Sequence, residues 1–448
     1  MKIYRATWVL PIVSDPIFEG AVAVDGKTIT SVGSYDEVAA AHSGAEVTDF
    51  HDAILLPGFV NCHSHLEYSA FRGLIDNENF GPWLLEFIDF KEKLNNGDYA
   101  ASSRLGAAEC VSSGITTIGE TMYSGESLGA INQAGLRARA YQEAIGINDS
   151  LLAETVSQLS DKLNRLEEQA GELAEIGIFP HAPYTVSAGL YREIAELGRT
   201  RGMRIATHLA ESSEESVYIR SGTGILALDL REKVGWDHIS HQPFGATPVK
   251  YLQQWNVYGP HFMAVHCVHV GPADIEIMAK RDVAVAHCPK SNAKLGCGVA
   301  PLPDFLKAGI RTGFGTDSPA SSNIMDMFGE MRTAIFLHRG IQKNAGALDA
   351  AECVHMATLG GARALGMESR IGSLEPGKQA DMVAVDMEFS HFTPVHDPYS
   401  SLVYGANQED VFFTMVSGRT IYDKKVLLTL DEDEVTAKAL EVKKKLRA

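Results

Sequence analysis

The chain has 448 residues, 45% of them hydrophobic and 21% charged, and 39 Lys and Arg against 57 Asp and Glu leave a net charge of −18. At roughly 150 residues per domain this length suits about three domains, or one large barrel with a smaller companion. The apolar content argues against a mainly disordered chain, and the acidic balance argues against a general nucleic-acid binder, whose phosphate contacts need a basic face.

The first residues carry Lys2 and Arg5, but Pro11, Asp15 and Pro16 break the apolar stretch that a signal peptide needs. Residues 1–57 then hold short β-like runs, Gly20–Asp25 and Thr28–Gly33, punctuated by Gly and Asp in the manner of hairpins. From residue 58 to 369 short apolar strands alternate with amphipathic helices. Eight strand candidates stand out: Ile54–Cys62, Ile115–Gly119, Leu136–Gln142, Gly177–His181, Arg204–His208, Phe262–His266, Val283–His287 and Arg311–Asp317. Helical spacing fills the gaps, most extensively over Leu151–Ile176. Eight such units predict a (β/α)8 TIM-like barrel, with a doubly wound open sheet as the competing arrangement. Residues 370–448 return to β-like runs, Ala380–Asp386 and Val411–Gly418, and finish in a Lys- and Glu-rich helix read as exposed. The two ends are therefore expected to pair as one discontinuous β-sandwich domain.

Six cysteines without a Cys-x-x-Cys pair support neither a disulfide scaffold nor a zinc ribbon. No run of about 18 apolar residues suggests a membrane span. The expectation is a reduced cytoplasmic protein with a small-molecule substrate and no nucleic-acid or membrane partner; a homo-oligomer is compatible with it.

Five of the eight strand candidates end in His or Asp and a sixth, Ile54–Cys62, runs directly into His63, at the rim where such barrels build their chemistry. His63 and His65 stand two apart and so share a strand face. His208 ends a strand with Glu211 three positions on, His266 ends the next, and Asp317 follows the close-packing Gly313 and Gly315. Three imidazoles and a carboxylate suit Zn²⁺, with Fe²⁺ as the alternative, and leave a position for water. His65-Leu66-Glu67 matches half of the cytidine-deaminase zinc motif, but its Pro-Cys-x-x-Cys half is missing.

Pro57–His65, His208–Ser212, His266–His269, His287–Asn292, Gly315–Ser318 and Ile371–Asp381 together resemble the amidohydrolase superfamily, in its branch of deaminases and triazine chlorohydrolases. The resemblance covers nearly the whole chain. It implies one metal held by His63, His65, His208 and Asp317, with Glu211, His266 and Asp317 as catalytic groups. Gly171–Thr185 contains no lysine, so the bridging carboxylated lysine of binuclear members is not expected. His287 is left outside the ligand set. Trp83 and Glu92 resemble the segment with which S-adenosylhomocysteine and methylthioadenosine deaminases cover a nucleoside and grip its ribose hydroxyls, and His181 resembles a histidine that bonds the purine. His65–Ser69 is also similar to 6-aminodeoxyfutalosine deaminases. The resemblance therefore implies a hydrolytic deaminase of an aminopurine nucleoside derivative, first 6-aminodeoxyfutalosine or another 5′-modified adenosine. A triazine chlorohydrolase or alkylamine hydrolase, a free guanine or cytosine deaminase, and a non-catalytic metal-binding relative remain open. His238, His241 and Glu67 are left without a role.

Overall fold

A computed structural model describes residues 1–447 and contains two sheets. Eight parallel strands follow one another in chain order: Phe59–Ser64, Ile115–Met122, Arg137–Ala144, Ala174–Pro180, Ile205–Leu209, Phe262–His266, Ala284–His287 and Thr312–Phe314. The eighth returns to the first through the Asp317 N–H, which donates to the His63 carbonyl at 3.0 Å, and a parallel bridge between Ser64 and Asp317. This seam closes the expected barrel and excludes the open sheet, which would leave both outer edges unpaired.

The expected first strand, Ile54–Cys62, is two strands. Ala53–Pro57 belongs to the second sheet and Phe59–Ser64 to the barrel, with Gly58 alone between them. A side chain at Gly58 would place its Cβ 2.1 Å from the Thr116 methyl carbon, so only glycine passes here. The unbroken apolar run reflects full burial in both sheets. The expected helix over Leu151–Ile176 ends at Gln169, and its last residues enter the fourth barrel strand.

The chain ends build one mixed sheet of nine strands. Its hairpin pairs Ile17–Asp25 with Thr28–Ser34, and Met382–Asp386 joins the C-terminal strands to Ala53–Pro57. Two strands separate Lys2–Val9 from Val411–Val416, yet the rings of Tyr4 and Phe413 are 5.7 Å apart. The sheet therefore coils until its inner face packs on itself. The two layers of the expected sandwich are continuous in hydrogen bonding.

Asp381 ties this sheet to the barrel. Its carboxylate accepts two hydrogen bonds from buried Arg137 of the third barrel strand, at 2.8 and 3.0 Å, and its carbonyl accepts the Gly58 N–H at 3.0 Å. The Ser417 N–H completes the set at 2.7 Å. The C-terminal helix Glu432–Arg447 is exposed on one side only. Val435, Ala439, Val442 and Leu446 form a buried stripe at helical spacing, and Lys445 pairs with Asp98 of the barrel helix Asn96–Ser112. No helix among the described residues is long and apolar enough to cross a membrane.

Candidate metal centre and active site

The C-terminal ends of four barrel strands bring His63, His65, His208, His266 and Asp317 together, all buried. Nε2 of His63 lies 3.1 Å from Nε2 of His65, 3.3 Å from Nε2 of His208 and 3.4 Å from Oδ1 of Asp317. Nε2 of His65 is 3.6 Å from the same oxygen. One ring nitrogen carries at most one hydrogen, so it cannot satisfy three such neighbours at once. Four converging donors of this kind fit a small divalent cation. With bonds of about 2.0–2.1 Å, tetrahedral ligands around zinc stand about 3.3 Å apart, close to these separations.

The rim is locally strained. Ala210, His266, Cys267 and Asp317 all adopt left-handed backbone conformations, which cost non-glycine residues about 1 kcal/mol or more each. This geometry turns the chain sharply at the strand ends and directs His266 and Asp317 inward. Gly315 permits the turn, because a Cβ there would lie 2.9 Å from the His63 Cβ and from the Cys288 sulfur. Gly313 is crowded in the same way, as its place in the motif suggests.

Hydrogen bonds fix each functional group. Oδ2 of Asp317 accepts from the hydroxyls of Ser291, at 2.5 Å, and Ser321, at 2.8 Å, so only Oδ1 faces the histidines. Burial pulls this carboxyl upward, but the hydrogen bond with His63 and the positive ends of His266, His63 and His65 hold it well below the usual range. Burial and the neighbouring histidines push His65 and His208 well below the ordinary imidazole value, as befits ligands that coordinate when neutral. Nδ1 of His266 lies 2.9 Å from Oδ1 of Asn292, which places the hydrogen on Nδ1 and the lone pair of Nε2 toward the pocket. Burial lowers His266 to about 4.

Glu211 follows His208 onto the rim, with Oε1 at 3.6 Å from Nε2 of His266. Burial, followed by the charges of Asp317, Glu215 and Glu214, raises its carboxyl well above the usual value. Glu215 holds the backbone in place by accepting the N–H groups of Ala210 and Glu211, at 2.9 and 3.0 Å.

Trp83, Glu92 and His181 all line the pocket that contains His65, His208, Glu211, His266 and Asp317. Trp83 is buried and stacks on Phe87 with ring centres 5.0 Å apart, whereas Glu92 lies exposed at the mouth. Nδ1 of His181 meets the Thr185 hydroxyl at 2.7 Å, and its ring centre stands 5.0 Å from that of His208. Burial, reinforced by Lys91 and His63, lowers His181 to about 3, which leaves the ring neutral.

His238 is exposed beside Asp237, and His241 stacks on Tyr218 at 4.1 Å; their neighbour Trp236 is the residue that reaches the pocket. His287 packs near Phe314 and His338 and is not among the side chains whose donor atoms cluster closely enough to hold an ion. Glu67 accepts the N–H groups of Tyr123, Ser124, Gly125 and Glu126, and so pins the loop that carries Tyr123 into the pocket. Such loop-to-side-chain bonds leave no mark in a sequence. Sequence reasoning also missed Asn292, although it lies within the quoted His287–Asn292 motif, and Glu143. The third barrel strand runs two residues past the expected Gln142, so Glu143 is another polar strand end.

A model of the Amidohydrolase family matches residues 54–421. A 5-methylthioadenosine/S-adenosylhomocysteine deaminase of Pelotomaculum thermopropionicum is 34% identical over 423 residues, 94% of this chain and 92% of the relative. One of the same name from Moorella thermoacetica is 33% identical, over 96% of each chain. Among solved structures, an adenosine deaminase from Xanthomonas campestris with bound zinc superposes with a TM-score of 0.87 at 28% identity, over 100% of this chain and 98% of the other. A zinc-bound atrazine chlorohydrolase from Arthrobacter aurescens shares the fold, with a TM-score of 0.85 at 22% identity over 99% and 100% of the two chains.

Proposed function

Because the chain belongs to the amidohydrolase family, we propose that it is a metal-dependent hydrolytic deaminase that releases ammonia from a 5′-modified adenosine. The observation that carries this reading is the placement of Glu211, 3.6 Å from His266, beside the donors of His63, His65, His208 and Asp317. Acids beside the reacting carbon can protonate both the ring nitrogen and the departing amine, and an amine leaving group requires that proton where chloride does not. Relatives named for methylthioadenosine and S-adenosylhomocysteine put those two substrates ahead of 6-aminodeoxyfutalosine, which presents the same 6-aminopurine. In this reading residues 58–369 form the catalytic unit, and the sheet of the two chain ends is its support.

His63, His65, His208 and Asp317 would hold one zinc ion, which supplies Lewis-acid activation of water when bound. Asp317 stays ionised and would take the attacking water's proton, its carboxylate held in place by the Ser291 and Ser321 hydroxyls on Oδ2. His266 accepts the water's second hydrogen bond at Nε2 and fixes its direction of approach to the amino-bearing carbon. Glu211, kept protonated by burial, gives its proton to the adjacent ring nitrogen and makes that carbon electrophilic. When the tetrahedral intermediate collapses, Asp317 passes its proton to the departing amine. The remaining hydroxyl hydrogen replaces the one Glu211 gave. Atoms balance as water plus aminopurine giving oxopurine plus ammonia. His181 and Trp83 line the same pocket, and in this reading His181 would meet the purine edge and Trp83 cover its face.

An ammonia-release screen of the zinc-loaded protein against methylthioadenosine, S-adenosylhomocysteine, adenosine, guanine, cytosine and triazines tests the reading. Ammonia from the adenosines supports it. Chloride or alkylamine from a triazine, with no ammonia from any adenosine, overturns it.

A further inference from the structure

The short helix Pro289–Lys294, which follows the seventh barrel strand, serves the centre with two adjacent residues. The Ser291 hydroxyl donates to Oδ2 of Asp317 at 2.5 Å, and Oδ1 of Asn292 accepts from Nδ1 of His266 at 2.9 Å. Nδ2 of Asn292 is buried and has no hydrogen-bond partner, so the amide is held only by His266 and by the backbone beneath it. A helix of 6 residues has little stability of its own, and its place is set by what grips it from outside. Lys290 supplies such a grip. Its N–H donates to Oε2 of Glu330 at 3.1 Å, and its ammonium stands 3.2 Å from Oε1 of the same carboxylate. The ammonium also donates to the Ile324 carbonyl at 2.9 Å. Glu330 is fully buried in the first turn of the helix Met327–Gln342. Ile324 follows closely on Ser321, whose hydroxyl meets the same Oδ2 of Asp317 at 2.8 Å. Lys290 therefore spans the two segments whose serines converge on that oxygen. Burying an ion pair is a poor route to stability, since apolar residues of like volume often do as well or better. A pair placed here points to geometry instead.

Resting on the deaminase reading above, we propose that Lys290 and Glu330 are positioning residues for the reaction: the pair locks the helix Pro289–Lys294 so that Ser291 and Asn292 hold Asp317 and His266 in their working orientations. Neither lines the substrate pocket. Both act through the two residues that follow Lys290. Hydrogen bonds weaken steeply when misaligned, so a small slide of this helix loosens both contacts at once. A misplaced water-directing histidine slows the reaction while the ion and the substrate stay bound.

The test is the paired replacement Lys290→Met with Glu330→Leu, which removes both charges together and leaves neither buried alone. Assays of the zinc-loaded protein with methylthioadenosine run at about pH 8, because burial raises the Glu330 carboxyl to about 7, even against the charge of Lys290, and the pair needs it ionised. The replacement should lower kcat about 10- to 100-fold and leave KM and zinc content within about twofold of the wild type. Made in a Ser291→Ala, Asn292→Ala background, it should cost no more than about twofold further, since the residues through which the pair acts are gone. An equal loss in both backgrounds, or a wild-type kcat without the pair, overturns the proposal. Nuclear magnetic resonance of ¹⁵N-histidine-labelled protein reads the same point without turnover. The His266 Nδ1–H resonance, assigned by its loss in Asn292→Ala, should shift or broaden in the paired replacement; an unchanged resonance overturns the proposal. Glu330→Gln keeps the shape and an acceptor for the Lys290 N–H, and it takes the same measurements, with the same expected direction, should the paired replacement fail to fold. Absence of turnover of any aminopurine nucleoside overturns the deaminase reading, and the imidazole resonance then decides the pair alone.

Discussion

Oδ1 of Asn292 lies 2.9 Å from Nδ1 of His266, and this contact orients the imidazole proposed to aim the attacking water. Asn292 touches none of the reacting atoms in the proposed mechanism, so it is a positioning residue. Asn292→Ala should lower kcat about 10- to 100-fold, the usual cost of losing a partner that orients a site histidine. Bound zinc and KM should change little. A fall in zinc content parallel to the fall in rate would show that Asn292 supports the centre as a whole.

Glu211→Gln keeps the shape of the side chain and removes its acid. It should bind zinc at the wild-type ratio and lose about 10²- to 10⁴-fold in kcat for ammonia release. Turnover at the wild-type rate, with zinc confirmed by elemental analysis, would remove Glu211 from the mechanism.

Chelation should abolish activity, and restored zinc should return it. His208→Ala removes one of the four proposed ligands and should weaken zinc retention on dialysis. Ions bound only to the folded state also stabilise it, so the unfolding midpoint should fall on chelation in the wild type and hardly at all in His208→Ala. The same shift in both would place the ion elsewhere.

His287 and His338 face each other in the interior, and burial holds their folded values at about 3 and about 4. Both lie below the unfolded value of about 6.5, so their contribution is fully present above that pH and is lost as pH falls toward 4 and then 3. Between about pH 6.5 and 5 each should cost about 2 kcal/mol. Denaturant unfolding of the wild type and His338→Leu across this range checks it, the variant losing stability less steeply. Parallel slopes would rule out His338 as a source.

Arg137→Met leaves Asp381 buried and charged without its main partner, at a cost of about 3–5 kcal/mol. Chemical denaturation measures it. A loss below about 1 kcal/mol would mean that the Ser417 N–H alone satisfies the carboxylate.

Most of the barrel was legible because its strands are short apolar runs whose polar residues fall at one end. His63, His208, His266 and Asp317 stand out for that reason, and the structure gathers them. Gly58 was invisible as a boundary, since Ile54–Phe59 reads as a single apolar run although its halves serve different sheets. Glu143 was lost by ending a strand at Gln142, where the register with the next strand continues to Ala144. The C-terminal helix shows the limit of composition: Lys and Glu dominate it, but four small or aliphatic residues at helical spacing set its docking. The coiling of the end-strand sheet depends on contacts between Tyr4 and Phe413, which are far apart in the chain.

The passage through Gly58 has a mechanical side. One residue separates two strands that are hydrogen-bonded into different sheets, and Asp381 clamps that residue from behind while gripping Arg137 in the barrel. A joint this short has no compliance, so sheet and barrel cannot swing against each other. Breathing that admits a ligand therefore falls to the rim. There the helix Phe80–Lys91 and the short helix Asp229–Lys233 are tied across the surface by the pair of Asp89 with Lys233, a contact that water and salt can loosen.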